Sequence, residues 1–197
     1  MKQDNFKSPD YYSIDNLLSD ENILVRDSVR EWVRNNASPI IEKAAQDDIF
    51  PKIFLKGISE IGGYGAFLPE KYGGSNIDYI SYGLMMQELE RCDSSLRVLS
   101  SVQSSLVMKL IYDYGKDEVK SKYLNRLANG ELIGCFGMTE SSHGSDPSSM
   151  QTKFKKVKNT YVINGTKLWI GQAPICDLAL VWAKNKESEF GLSLIHI

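Results

Sequence analysis

The residue types best suited to chemistry lie between Leu132 and Gly171. An apolar run, Leu132–Met138, stops at Thr139-Glu140 and gives way to Ser141-Ser142-His143-Gly144-Ser145-Asp146-Pro147. A loop of such small residues leaves many backbone N–H groups free and lets a flat or phosphorylated ligand approach closely. Two further runs, Gln151–Val157 and Tyr161–Leu168, flank Lys158-Asn159-Thr160, which predicts a β-hairpin. Trp169 follows where the returning chain can meet the same loop. With no ligand, the pattern reads as a sheet edge with a polar loop and a core tryptophan.

A second candidate pair is Glu90 and Arg97, two helical turns apart if the helix is continuous. An arginine fork grips a carboxylate with two charge-assisted hydrogen bonds. The plainer reading is a solvated ion pair, which is worth little. His143 is a residue type able to carry a proton in catalysis, but no partner is visible and it is expected to face solvent. Lys153, Lys155, Lys156 and Lys158 read as a solvated strand face. Cys92, Cys135 and Cys176 are odd in number and lack metal-site spacing. They read as small buried apolar residues of a reducing compartment.

These residues need a scaffold, and the composition allows one. The chain has 197 residues, of which 42% are hydrophobic, enough for a sizeable core. A net charge of −2 gives no global field toward nucleic acid or an anionic membrane, and neither partner is expected. No apolar run is long enough to span a bilayer. The start, Met-Lys-Gln-Asp-Asn-Phe-Lys, lacks the features of a signal or transit peptide. A cytoplasmic bacterial protein is expected, with the mitochondrial matrix as the alternative.

The first two thirds read as helices. Ser19 or Asp20 caps the first, with an apolar stripe through Leu24, Val25, Ser28, Trp32 and Val33. Ser38-Pro39 predicts a second helix start and Pro51 a third, ending at Gly62-Gly63. Phe67–Gly74 is a Pro- and Gly-punctuated loop. Asp78 caps a helix through Leu89, and Asp93-Ser94-Ser95 starts another that runs to Tyr114-Gly115. Asp117–Asn129 is amphipathic and stops at Gly130. Beyond it the period changes, with strands expected at Leu132–Met138, Gln151–Val157, Tyr161–Leu168 and Leu178–Ala183. The fold class is α+β: an all-α domain over 1–130, a β domain over 131–191, and an unassigned tail over 192–197. Through Glu189-Phe190-Gly191 the chain reads as strand, turn, strand, and the weakly alternating run after it reads either as the next strand or as an artefact of truncation; no function is placed on His196.

Thr139-Glu140-x-x-x-Gly144-Ser145-Asp146, followed by Asn164-Gly165-x-Lys167-x-Trp169-Ile170, resembles the flavin-binding signature of the acyl-CoA dehydrogenase family. Glu88–Arg91, Val102–Met108, Lys122–Leu124 and Gly130-Glu131 match the family in order and spacing. The resemblance covers roughly Ser19 to Ala183. It implies the family's N-terminal helical and middle β domains, with the C-terminal helical bundle missing. It also implies FAD as cofactor, an acyl-CoA substrate, an electron-transfer flavoprotein as acceptor, and a homotetramer when complete. The reaction implied is α,β-dehydrogenation of an acyl thioester.

By the same resemblance, Phe136, Met138 and Thr139 run along the flavin ring. Ser145 lies near the flavin pyrophosphate and the CoA thioester, and Trp169, Ile170 and Gly171 pack at the ring. Many family members have Thr or Ser at the position of Gly171, so a hydroxyl is lost there, which opens an oxidase-like alternative. The run from Glu90 to Met108 is most similar to glutaryl-CoA dehydrogenases. This gives Arg97 the role of holding the distal carboxylate, with Glu90 orienting it, although Val98 stands where that subfamily usually has serine. A glutaryl-CoA oxidation with decarboxylation to crotonyl-CoA is implied. The alternatives are a general short-chain dehydrogenase, and a flavin- or acyl-CoA-binding fragment without turnover. The catalytic base is expected beyond Ile197, and no acidic residue here takes its place.

Overall fold

The computed structural model describes residues 10–158, 160–185 and 191–196. It divides into two compact units, Met1–Ser101 and Val102–Ile197. The first is helical, with α1 (Asp20–Trp32), α2 (Ile41–Gln46), α3 (Ile53–Glu60), α4 (Tyr79–Cys92) and α5 (Ser94–Ser101). The second holds a π-helical segment, Val102–Met108, then α6 (Lys109–Tyr114) and α7 (Asp117–Ala128). Its strands are β1 (Gly134–Gly137), β2 (Lys153–Val157), β3 (Thr160–Asn164), β4 (Leu178–Ala183) and β5 (Gly191–His196). The α+β class is therefore as the sequence predicts.

In the first unit the helix starts follow local chemistry. Ser19 and Asn22 form a reciprocal capping box at α1, and the Asp78 carboxylate accepts the Ser81 N–H at α4. Asn22 Nδ2 donates to Ser81 Oγ at 2.8 Å and to Asp78 at 3.1 Å, so the two caps are joined. The buried face of α1 is Asn22, Arg26 and Val29, continued past its end by Val33, whereas Leu24 is 66% exposed. The expected apolar stripe was offset, because polar residues with fixed partners took the inward face. Arg30 grips the fully buried Glu88 through Nε at 2.9 Å and Nη2 at 3.0 Å, pinning α1 to α4. Ser38 does not cap α2, whose start has no side-chain cap; its hydroxyl instead lies 3.7 Å from Cys92 Sγ.

In the second unit, β1 pairs in parallel with β4, from Gly134↔Leu178 to Gly137↔Val181. β5 adds antiparallel to the other side of β4, so the weakly alternating tail is a strand. The turn expected at residues 189–190 lies outside the described residues. β2 and β3 form the predicted hairpin with Lys155↔Val162 in register. Its base joins the larger sheet: the Phe154 N–H donates to the Lys184 carbonyl and the Lys184 N–H to the Thr152 carbonyl, both at 2.9 Å.

Gln103 holds the start of β1. It is fully buried in the π-helical segment. Its Nε2 donates to the carbonyls of Leu127 at 3.0 Å and Leu132 at 2.8 Å, and its Oε1 accepts the Gly134 N–H at 2.9 Å. One amide thus closes the end of α7 and opens β1. Gly134 must lack a side chain, since a Cβ there would lie 2.6 Å from Val107 Cγ1. Gln103→Leu strands these buried backbone groups. It is expected to cost about 3 kcal/mol in urea-unfolding free energy; a change under about 0.5 kcal/mol would contradict this role.

Candidate functional site

The end of β1 and the chain after β3 come together. The Leu168 N–H donates to the Thr139 carbonyl at 2.9 Å, which sets Lys167, Leu168 and Trp169 beside Met138 and Thr139. β3 ends at Asn164 rather than Leu168 because Gly165 turns the chain away against Thr152. A Cβ on Gly165 would lie 2.6 Å from Thr152 Cα, so only glycine allows this approach.

Glu140 is the centre of this junction. It is 6% exposed. Its carboxylate accepts the Gln151 N–H at 2.5 Å, and the Thr152 N–H and Oγ1–H at 2.9 and 2.5 Å. Lys167 Nζ completes the set at 2.9 Å and also donates to the Met138 carbonyl at 2.9 Å. Burial opposes ionisation of Glu140. The hydrogen bonds from Thr152, Gln151 and Lys167 outweigh it and hold the carboxyl at about 2. Three of these donors share Oε1 and the Gln151 N–H takes Oε2, so the carboxylate is committed to holding the junction. Sequence reasoning placed Glu140 in the loop but missed its pairing with Lys167. The Asn164-Gly165-x-Lys167 spacing carried that signal only as part of the motif.

Trp169 is not a core residue. It is 85% exposed, with left-handed backbone at φ 61°, and Gln172 is left-handed too, at φ 68°. Two such non-glycine residues in one short loop mark a conformation fixed by its surroundings. Phe136 is half-buried, with its ring 6.3 Å from that of Trp182, whose buried indole N–H has no partner among the described residues. Met138, Thr139 and Ile170 are half-buried, and Ser145 and Gly171 are exposed. Ser145 adjoins Asp146, whose carboxylate accepts the hydroxyls of Ser148 and Ser149 and is thereby held below its ordinary range. His143 is half-buried rather than solvent-facing, its backbone bridged to Glu140 in both directions at 3.2 Å. The site thus offers half-buried apolar side chains at the end of β1, an exposed indole and the exposed backbone of Gly171. That donor set fits a planar aromatic heterocycle.

Arg97 and Glu90 meet within the helical unit across the break at Asp93. Arg97 Nε donates to Glu90 Oε2 at 2.7 Å, and Ser94 Oγ donates to Oε1 at 2.7 Å. The Arg97 guanidinium, then the Ser94 hydroxyl, hold Glu90 below the usual carboxylate range. Only Nε is engaged, so the two terminal nitrogens of Arg97 keep donors that no described residue takes.

The chain matches the models of two domains, "Acyl-CoA dehydrogenase, N-terminal domain" over residues 19–131 and "Acyl-CoA dehydrogenase, middle domain" over residues 135–197. It belongs to the acyl-CoA dehydrogenase family. It is 35% identical to the short-chain specific acyl-CoA dehydrogenase of Clostridium acetobutylicum over 87% of this chain and 45% of that protein. Glutaryl-CoA dehydrogenase of Mycobacterium smegmatis, solved with FADH2, superimposes with a TM-score of 0.91. Its identity is 36%, over 94% of this chain and 47% of that one. Butyryl-CoA dehydrogenase of Megasphaera elsdenii gives a TM-score of 0.84 at 28% identity, over 91% of this chain and 49% of that one. The chain therefore spans about half the length of the relatives it matches. Among the described residues no helix is long and apolar enough to cross a membrane.

The Glu140 cradle predicts an acid-side instability. Its folded value of about 2 lies below its ordinary 4.5, so its contribution is complete above pH 4.5 and is lost as pH falls toward 2. Glu140→Gln is expected to cost about 3 kcal/mol near neutrality, because Lys167 loses its buried counter-charge. The same variant should flatten the fall of stability over that acid window. An unchanged slope in pH-dependent urea unfolding would contradict the assignment.

Proposed function

We propose that this chain provides the flavin- and acyl-thioester-binding half of an FAD-dependent acyl-CoA dehydrogenase acting on glutaryl-CoA. The observation that carries the flavin reading is the return of Lys167–Trp169 onto Thr139, with Trp169 left in solvent. Phe136, Met138 and Thr139 would line one side of the FAD ring, and Trp169, Ile170 and Gly171 another. Ser145 would lie toward the pyrophosphate and the CoA thioester. FAD, when bound, supplies the hydride acceptor. The chain's own residues orient the ring, exclude water from its apolar side and offer backbone donors to its polar edge.

The terminal nitrogens of Arg97, with Nε already tied to Glu90, support the dicarboxylic substrate. A fork held at one edge meets a carboxylate at the other with little entropy left to lose. The group that takes the substrate's α-proton is not among these residues; Glu140 is committed to Lys167, Thr152 and Gln151. Decarboxylation to crotonyl-CoA, an electron-transfer flavoprotein as acceptor and a homotetrameric assembly extend the same reading by family analogy; a bacterial cytoplasmic setting is proposed from the cysteine usage. The change from helical to alternating period after Gly130 sets the proposed boundary between the helical and β domains near Gly130-Glu131. An oxidase is the second reading, favoured by Gly171, which offers no side-chain hydroxyl; oxygen consumption without an added acceptor would select it.

Arg97→Ala in the full-length enzyme is expected to raise KM for glutaryl-CoA at least tenfold more than KM for butyryl-CoA, about 1.4 kcal/mol of selectivity. Equal losses on both substrates in steady-state assays would remove the glutaryl-CoA assignment.

A further inference from the structure

Two of the three cysteines touch. Cys176 Sγ lies 3.3 Å from Cys135 Sγ, and neither is bonded to another sulfur. Cys135 is buried on β1, while Cys176 is half-buried just before β4. The two backbones are already fixed beside each other. The Ile133 N–H donates to Asp177 Oδ2 at 2.8 Å, the Asp177 N–H donates to the Ile133 carbonyl at 2.7 Å, and Gly134 pairs with Leu178 in register. The Cys176 thiol also lies 3.4 Å from the Ala173 carbonyl, the acceptor end of a short turn. Nothing in the proposed function uses either thiol. Two sulfurs this close on a hydrogen-bonded frame are placed to be bridged.

We propose that Cys135 and Cys176 form a redox-sensitive dithiol that a peroxide converts to an intramolecular disulfide. Cys176, the more accessible sulfur, reacts first. Its thiolate attacks one peroxide oxygen, the O–O bond breaks, and water leaves after taking up a proton, giving a sulfenic acid. The Cys135 sulfur then attacks the sulfenic sulfur. The S–O bond breaks, and the departing hydroxide carries off the Cys135 proton as a second water. Two thiols lose two electrons and two protons, and the peroxide is reduced to two waters. The order follows from the surroundings: burial, then the adjoining Cys176, pushes the Cys135 thiol up to about 12, so it does not supply the first thiolate at neutral pH. The cross-link ties the segment carrying Trp169–Gly171 to β1, which carries Phe136 and leads into Met138.

The test treats the 197-residue chain with hydrogen peroxide, blocks remaining thiols with iodoacetamide under denaturing conditions, and maps tryptic peptides. The expected result is loss of alkylation at two of the three cysteines, with only Cys92 modified. Peptides Leu127–Lys153 and Leu168–Lys184 should be joined, lighter by two hydrogens, and released by dithiothreitol. Cys92→Ser should leave the cross-link intact, and Cys176→Ser should leave Cys135 fully alkylated after peroxide. Sulfinic acid at Cys176 with Cys135 still alkylated would overturn the proposal. So would a bridge through Cys92, or a disulfide only between two chains. Peptide mapping of the unsubstituted chain decides the matter even if a variant fails to fold.

Discussion

The second unit depends on one buried ion pair. Glu140 and Lys167 are far apart in sequence and each is a poor candidate for burial alone. Together they close a polar junction at which three segments meet: the end of β1, the start of the hairpin at Gln151-Thr152, and the return after β3. The carboxylate draws on two backbone N–H groups, one hydroxyl and one ammonium, so both of its oxygens are engaged. A buried charge so surrounded is a positional device more than a source of net stability. Remove it, and nothing polar dictates where the Trp169 loop comes back.

The remaining features of the site follow from that constraint. Lys167 also donates to the Met138 carbonyl, which fixes the strand end as well as the loop. Leu168 then pairs with Thr139, and Trp169 is left beyond the last hydrogen bond with left-handed backbone and an open ring. Gly165 allows the close approach to Thr152 that brings Lys167 within reach. Strain and exposure at Trp169 are thus sustained by the satisfied network behind it. Gln103 performs a comparable task at the other end of β1, where one neutral amide meets three backbone groups.

Much of this was legible in sequence where the cause is local. Ser19 and Asp78 announce their helices because caps act over three residues, and the hairpin announces itself through alternation on both sides of a short turn. Leu178–Ala183 was legible because a central strand is an apolar run. Causes acting over long separations were not legible from pattern alone. The inward stripe of α1 includes Asn22 and Arg26, whose partners Ser81, Asp78 and Asp15 decide their burial. Ser38-Pro39 has the form of a cap, yet the π-helical turn ending at Ala37 delays the next helix to Ile41. Trp169 looks like core by residue type; only the Leu168–Thr139 and Lys167–Glu140 bonds show why it must face outward. Arg97 and Glu90 were legible as a pair by spacing, but not that their contact leaves the far edge of the guanidinium unused.

The most direct test of this account is the FAD content of the full-length protein carrying Trp169→Ala, measured by equilibrium dialysis against the unsubstituted protein. Trp169 is 85% exposed, so its removal leaves the core intact, and any change reports on the ring site. Loss of an aromatic stacking surface is expected to weaken FAD about tenfold or more, at unchanged thermal stability of the apoprotein. Unchanged FAD affinity would contradict the placement of the flavin between Trp169 and the end of β1.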